Sequence, residues 1–142
     1  MSGAAMTDDL SPPFQGLPLR GIQVLVVEDE YYIADDVWRE LKAAGADVIG
    51  PVLTVAAAQA AVHDAEIDCA VLDLNLHGES ALPVAEWLMG SGKPFSIATG
   101  YGSGAIPDRF KVVPRIEKPF DPPALLELVG HLSGVRTNDQ AV

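Results

Sequence analysis

Cysteine is almost missing from this chain. Cys69 is the only one in 142 residues, so neither an intrachain disulfide nor a multi-cysteine metal site can form. Its surroundings, Cys69-Ala70-Val71-Leu72, read as a small buried hydrophobe in an apolar run. Cationic side chains are also scarce: nine Lys and Arg face twenty Asp and Glu, a net charge of -11 with a pI near 4.4. Nucleic-acid affinity comes largely from cations that displace counterions, so direct nucleic-acid binding is not expected. No apolar run approaches the roughly 18 residues of a membrane span, and no cationic start precedes an apolar stretch as in a signal peptide. A soluble cytoplasmic protein with no membrane insertion is the expectation. At 49% hydrophobic and 20% charged residues, the chain has the material for one real core.

Residues 1–20, with Ser11-Pro12-Pro13, Gly16 and Pro18, follow neither helical nor strand periodicity and read as a flexible leader. Residues 134–142 read as a flexible tail. Between them, residues 21–133 alternate short apolar runs with helical patterns, and no internal repeat interrupts them.

Ile22 to Val27 suits a strand buried on both faces. A helix follows over Tyr31–Ala44, with Ile33, Val37 and Leu41 at four-residue spacing and Gly45 as its stop. Val48-Ile49 forms a second strand. Thr54 can cap an Ala-rich helix over 55–65. Asp68–Leu72 is the third strand, and Ser80 can cap a helix that runs through Met89 with Pro83 in its first turn. Phe95–Ala98 and Val112–Ile116 are the fourth and fifth strands. Asp121 can cap a last helix from Pro122, striped by Leu125, Leu126, Val129 and Leu132.

This alternation predicts an α/β fold, a doubly wound parallel sheet with helices on both faces. Pro51 at the end of the second strand and Pro114 inside the fifth belong on sheet edges. The flavodoxin-like order 2-1-3-4-5 puts those two strands at the edges. The ten residues between Tyr101 and Val112 include Gly102, Gly104 and Pro107, which leaves the fourth helix short or degenerate.

In such a sheet, ligands sit beyond the carboxyl ends of the strands. Those ends carry Glu28, Asp29 and Glu30, then Asp73, then Thr99, then Glu117 and Lys118. Carboxylates crowded at one rim must protonate in part or recruit a cation, and hard oxygen donors suit Mg2+. The plain alternative for any single acid is a solvated loop residue or a helix cap. A carboxylate oxygen of Asp73 can attack phosphorus if a metal screens its charge. Thr99 offers a hydroxyl donor and Lys118 a mobile ammonium. Together they form a phosphoryl-acceptor site.

Val26-Val27-Glu28-Asp29-Glu30, Asp73 at a strand end, Thr99 after Ile97-Ala98, and Lys118-Pro119-Phe120 together resemble a response-regulator receiver domain of two-component signalling. The likeness covers residues 21–133. It implies that Asp73 accepts a phosphoryl group from a histidine kinase or a histidine phosphotransfer protein. It further implies Mg2+ held by Asp29, Asp73 and the Asn75 backbone carbonyl, with Glu28 acting through water. Lys118 pairs with the active-site charge, and the Lys118-Pro119 peptide is cis. Pro94-Phe95-Ser96-Ile97-Ala98-Thr99-Gly100-Tyr101 resembles the stand-alone, single-domain FAT GUY receivers, with Ile97 in place of their second Phe. That subgroup also has a short fourth helix.

Receivers of the usual kind carry an aromatic switch residue three positions before the lysine, where this chain has Arg115. Tyr101, in a loop made compliant by Gly100, Gly102 and Gly104, is the candidate substitute; an exposed loop tyrosine is the bland alternative. His77 lies close enough to Asp73 in sequence to influence phosphate access or hydrolysis, or it is simply an exposed loop histidine. His63 and His131 read as ordinary helix residues.

A stand-alone receiver acts through a downstream protein partner or passes the phosphoryl group on, and turns over no external substrate. An aspartate-nucleophile phosphohydrolase needs an acid two residues after its nucleophile, where this chain has Asn75. A phosphorylation-independent interaction module is the third reading.

Overall fold

In the computed structural model, which describes residues 17–100 and 105–134, each of the five apolar runs contributes a strand to one sheet. The elements are β1 (Gln23–Val27), α1 (Tyr31–Ala43), β2 (Asp47–Val52), α2 (Val55–Asp64), β3 (Cys69–Asp73), β4 (Asn75–Leu76), β5 (Glu79–Ser80), α3 (Leu82–Gly90), β6 (Phe95–Thr99), a 3-10 turn (Asp108–Phe110), β7 (Arg115–Glu117) and α4 (Pro122–Leu132). The main sheet runs β2-β1-β3-β6-β7 and every pairing in it is parallel. With the small β4-β5 hairpin set aside, this is the flavodoxin-like order 2-1-3-4-5.

Alternation along the central strands builds two cores. Leu25, Val27, Ala70, Leu72, Phe95 and Ile97 face α2, α3 and the 3-10 turn through Val55, Ala58, Val62, Val84, Leu88 and Phe110. Val24, Val26, Cys69, Val71 and Ala98 face α1 and α4 through Val37, Leu41, Leu125 and Val129. β3 is buried at all five positions. That is why its sequence shows no alternation of polarity.

Two caps act as the sequence implies. The Thr54 hydroxyl accepts the Ala57 N–H at 3.1 Å, and the Asp121 carboxylate accepts the Ala124 N–H at 3.4 Å. Gly45, at φ +97°, stops the first helix.

Other details differ from the sequence reading. Ser80 is not the cap of the third helix but the end of β5, and Ala81 takes the cap position. The Ser80 hydroxyl still accepts the Leu82 N–H at 3.1 Å. Pro51 lies inside β2 rather than ending it, because the register with β1 shifts between Leu25 and Val27. Gly50 makes that irregularity possible: at φ +103°, a Cβ would stand 2.6 Å from the Val52 nitrogen and 2.8 Å from the Val26 oxygen. The fifth strand begins at Arg115, after Pro114, since Val112 is exposed and the Val113 N–H bonds back to the Phe110 carbonyl. Among the described residues, the fourth helix is reduced to a 3-10 turn at Asp108–Phe110.

The folded unit also starts earlier than residue 21. Leu19 is 1% exposed, and its N–H bonds the Ala44 carbonyl at 2.8 Å. One apolar anchor therefore ties the end of the Pro-rich stretch to the base of α1. Of the leader expected over 1–20, residues 1–16 lie outside the described residues, as do residues 135–142 of the tail expected over 134–142, and Tyr101.

Candidate functional site

β1 and β3 end side by side, in register from Val24↔Cys69 to Val27↔Leu72. This places Glu28 and Asp29 next to Asp73, 44 positions later in the chain. One carboxylate oxygen from each lies within 4.8 Å of the others. Glu28 is 2% and Asp73 8% exposed, so neither charge is fully solvated.

Lys118 enters from the loop after edge strand β7. Its N–H donates to the Thr99 carbonyl at 2.6 Å, and the Lys118–Pro119 peptide is cis. The ammonium Nζ reaches Asp73 Oδ2 at 2.8 Å, Glu28 Oε1 at 3.2 Å and Glu30 Oε1 at 3.3 Å. Three carboxyl groups, those of Glu28, Glu30 and Asp73, thus contact one ammonium, and Asp29 adds a fourth acid beside Glu28 and Asp73. Burial of these groups has a titration signature. Burial raises the Glu28 carboxyl from its ordinary 4.5 to about 7; the Glu30 amide and the Lys118 ammonium oppose the rise, and the Asp73 charge adds to it. For Lys118, burial lowers the pKa, but the hydrogen bond to Asp73 and the charges of Glu28 and Asp73 outweigh it and hold the ammonium above its ordinary range. Buried Cys69, its pKa pushed up to about 12 by burial with a further push from the Asp68 charge, has no nucleophilic role near neutrality.

The loop after β3 completes the rim. Asp73 Oδ1 accepts the Asn75 N–H at 3.0 Å, so the Asn75 backbone lies against the acceptor carboxylate. Asn75 Oδ1 accepts the Gly78 N–H at 2.7 Å and holds the hairpin turn. Beside Asp73 opens a cavity of about 190 Å³, lined by Asn75, Gly78, Ile97, Ala98, Thr99 and Ile106 among others. Thr99, half-buried at the end of β6, shares this cavity with Asp73. Arg115 is exposed on β7 and reaches none of these groups by an ion pair or hydrogen bond.

Two contacts went unforeseen in the sequence. Glu30 joins the Lys118 cluster, and its N–H donates to Glu28 Oε2 at 3.0 Å; the run of three acids at a strand end was the available signal. His77 touches Asp29, by its N–H at 2.8 Å and its Nδ1 at 3.2 Å to the same Oδ2. Nothing local in the sequence marks that pairing.

The donor chemistry fits a divalent hard cation: several oxygen ligands from few side chains, with negative charge in excess. The side chains alone can hold such an ion, accept a group on Asp73 and neutralise it with Lys118.

No family model and no curated protein matches the chain. Among solved structures, SdrG from Sphingomonas melonis Fr1 is 39% identical over 81% of this chain and 97% of its own, with a TM-score of 0.72. The BeF3-activated conformation of SdrG from Pseudomonas melonis Fr1 is 36% identical over 84% of this chain and 99% of its own, TM-score 0.66. The signal receiver domain of a LuxO repressor protein from Vibrio parahaemolyticus is 26% identical over 87% and 98%, TM-score 0.68.

Proposed function

This chain belongs to the response-regulator receiver family, and from that premise we propose that Asp73 is its phosphoryl acceptor in two-component signalling. The donor is a histidine kinase or a histidine phosphotransfer protein. The observation that carries the reading is the convergence on Asp73: two further carboxylates within 4.8 Å and the Lys118 ammonium at 2.8 Å.

Asp29, Asp73 and the Asn75 carbonyl are the proposed holders of Mg2+, with Glu28 contributing through water. Bound there, the ion supplies positive charge that screens two anions as they approach. The remaining work falls to the chain. An Asp73 carboxylate oxygen forms the new bond to phosphorus as the phosphorus–nitrogen bond of the donor's phosphohistidine breaks, and the electron pair leaves with the imidazole. Lys118 exchanges its present contact for the incoming charge, and the Thr99 hydroxyl donates to a phosphoryl oxygen across the shared cavity.

A protein donor also needs a place to dock. An apolar cleft of about 460 Å³ opens beside Asp29, lined by Tyr31, Trp38, Pro51 and Leu53, and Tyr31 and Leu53 are exposed.

Because Arg115 occupies the usual aromatic position, the phosphoryl signal is proposed to pass through the segment after Thr99, with Tyr101 as the moving side chain. The Pro94–Tyr101 stretch and the single 3-10 turn support membership of the FAT GUY subgroup. The output is a downstream protein partner in the cytoplasm, without direct nucleic-acid contact; among the described residues no helix is long and apolar enough to cross a membrane. Turnover of phosphate esters is disfavoured, since the Asn75 amide cannot act as an acid toward a leaving group. Phosphotransfer from a radiolabelled phosphohistidine protein tests the proposal. Label is expected on the wild type and not on Asp73→Asn; equal labelling of both refutes it.

A further inference from the structure

Leu17, Tyr31, Trp38 and Leu53 are large apolar side chains left exposed, and they follow one line up the molecule. Tyr31, Trp38 and Leu53 line the 460 Å³ cleft, together with Pro51 and the acids Asp29 and Asp35. Leu17 lies at its foot. A Cβ on Gly45 would stand 3.2 Å from the Leu17 Cβ, and Gly45 follows Trp38 by seven residues, about two turns along the same face of α1. Contiguous exposed apolar ground of this kind marks a surface that something covers.

The chain thus reaches Leu17 directly below the cleft, and the residues just before it have the chemistry to cover the apolar wall. Leu10-Ser11-Pro12-Pro13-Phe14 is uncharged and mostly apolar. Paired prolines favour the extended polyproline helix, which loses little entropy on docking and suits grooves lined by aromatic rings. The lengths agree. At about 3.1 Å per residue, Phe14 lies about 9 Å from Leu17 and Leu10 about 22 Å. At about 1.5 Å per residue, Trp38 stands about 10 Å above Gly45 and Tyr31 about 21 Å. Phe14 comes level with Trp38, and Leu10 with Tyr31.

We propose that residues 10–14 fold back along α1 and cover this cleft in the same molecule, so that a protein donor must displace them to reach Asp73. Asp8 and Asp9 are repelled by Asp29 and Asp35, which sets Leu10 as the start of the docked stretch. The competition rests on the reading of the cleft as the donor's dock; the fold-back itself does not.

The test uses the full chain with a nitroxide on Thr7→Cys, since Cys69 is buried and escapes labelling. Amide signals of Tyr31, Tyr32 and Leu53 should broaden more than those of residues 44–47, which lie nearer Leu17, and the difference should vanish in Leu10→Ser/Phe14→Ser. Broadening strongest at residues 44–47, or a pattern unchanged in the double variant, overturns the proposal. So does broadening passed to a nitroxide-free, isotope-labelled chain in a mixed sample, because a second copy would then fill the cleft. With a phosphohistidine protein as donor, the double variant should label Asp73 about threefold faster or more, the gain when a cleft two-thirds covered becomes free. Acetyl phosphate, which needs no docking, should label both proteins at one rate. Equal acceleration with both reagents overturns the proposal, for the segment would then act on Asp73 itself. If the broadening is as expected but the protein donor labels both chains alike, the fold-back stands and the cleft is not the donor's dock.

Discussion

Glu28→Gln exposes the electrostatic state of the site before any ion binds. Glu28 is almost fully buried, and its carboxyl titrates near 7 in the folded chain against an ordinary 4.5. Between those values the folded chain holds a proton that the unfolded chain has released. Stability therefore falls as pH rises through this window, and the loss is complete above the folded value. The interval spans 2.5 pH units; at about 1.4 kcal/mol each, the wild type loses on the order of 3 kcal/mol from this one group. Gln has the shape of the protonated acid and cannot ionise. Denaturant unfolding in EDTA should thus find the two proteins similar at pH 4.5, with the variant more stable by about 3 kcal/mol at pH 8. Superimposable pH profiles would refute the reasoning, for they would mean that Lys118 and the Glu30 amide fully offset the burial of this charge.

If Mg2+ binds as proposed, it should stabilise the wild type by about 2.7 kcal/mol at a hundredfold excess over Kd, and Asp29→Ala should abolish that gain; an unchanged Mg2+-induced rise in Tm would remove Asp29 from the ligand set. Leu19→Ala should cost about 2–4 kcal/mol in urea unfolding, although the residue lies in a stretch whose composition reads as leader; a cost below about 0.5 kcal/mol, the level of an ordinary surface change, would detach that turn from the core. Ser96 is fully buried and its hydroxyl has no hydrogen-bond partner among the described residues, so Ser96→Ala should leave stability unchanged or raise it by about 1 kcal/mol. A loss of that size would reveal an unseen partner.

How much of this could be read from the sequence follows from the range of the forces involved. Thr54 and Asp121 cap their helices through bonds to residues three positions on, so their chemistry is local and legible. The apolar run Ile22 to Val27 announced a strand buried on both faces, which β1 is at four of its five positions, and the acids, Thr99 and Lys118 were placed by the rule that strand ends converge. The β4-β5 hairpin stayed hidden because two-residue strands carry no period. Val112 misled the reading of the fifth strand: it is apolar but exposed, and the edge strand needs only Arg115, Ile116 and Glu117 to pair with Ile97, Ala98 and Thr99. Leu19 was masked by its Pro-rich neighbours. The His77–Asp29 contact joins residues 48 apart and depends on the turn that the hairpin makes.

The central claim is that Asp73 is the acceptor. Intact-mass measurement after incubation with acetyl phosphate and Mg2+, followed by mapping of the hydroxylamine-labile adduct, tests it most directly. A single phosphoryl group on Asp73, lost in Asp73→Asn and in the absence of Mg2+, is the predicted result. A stable adduct on another residue, or uptake that survives Asp73→Asn, would contradict it.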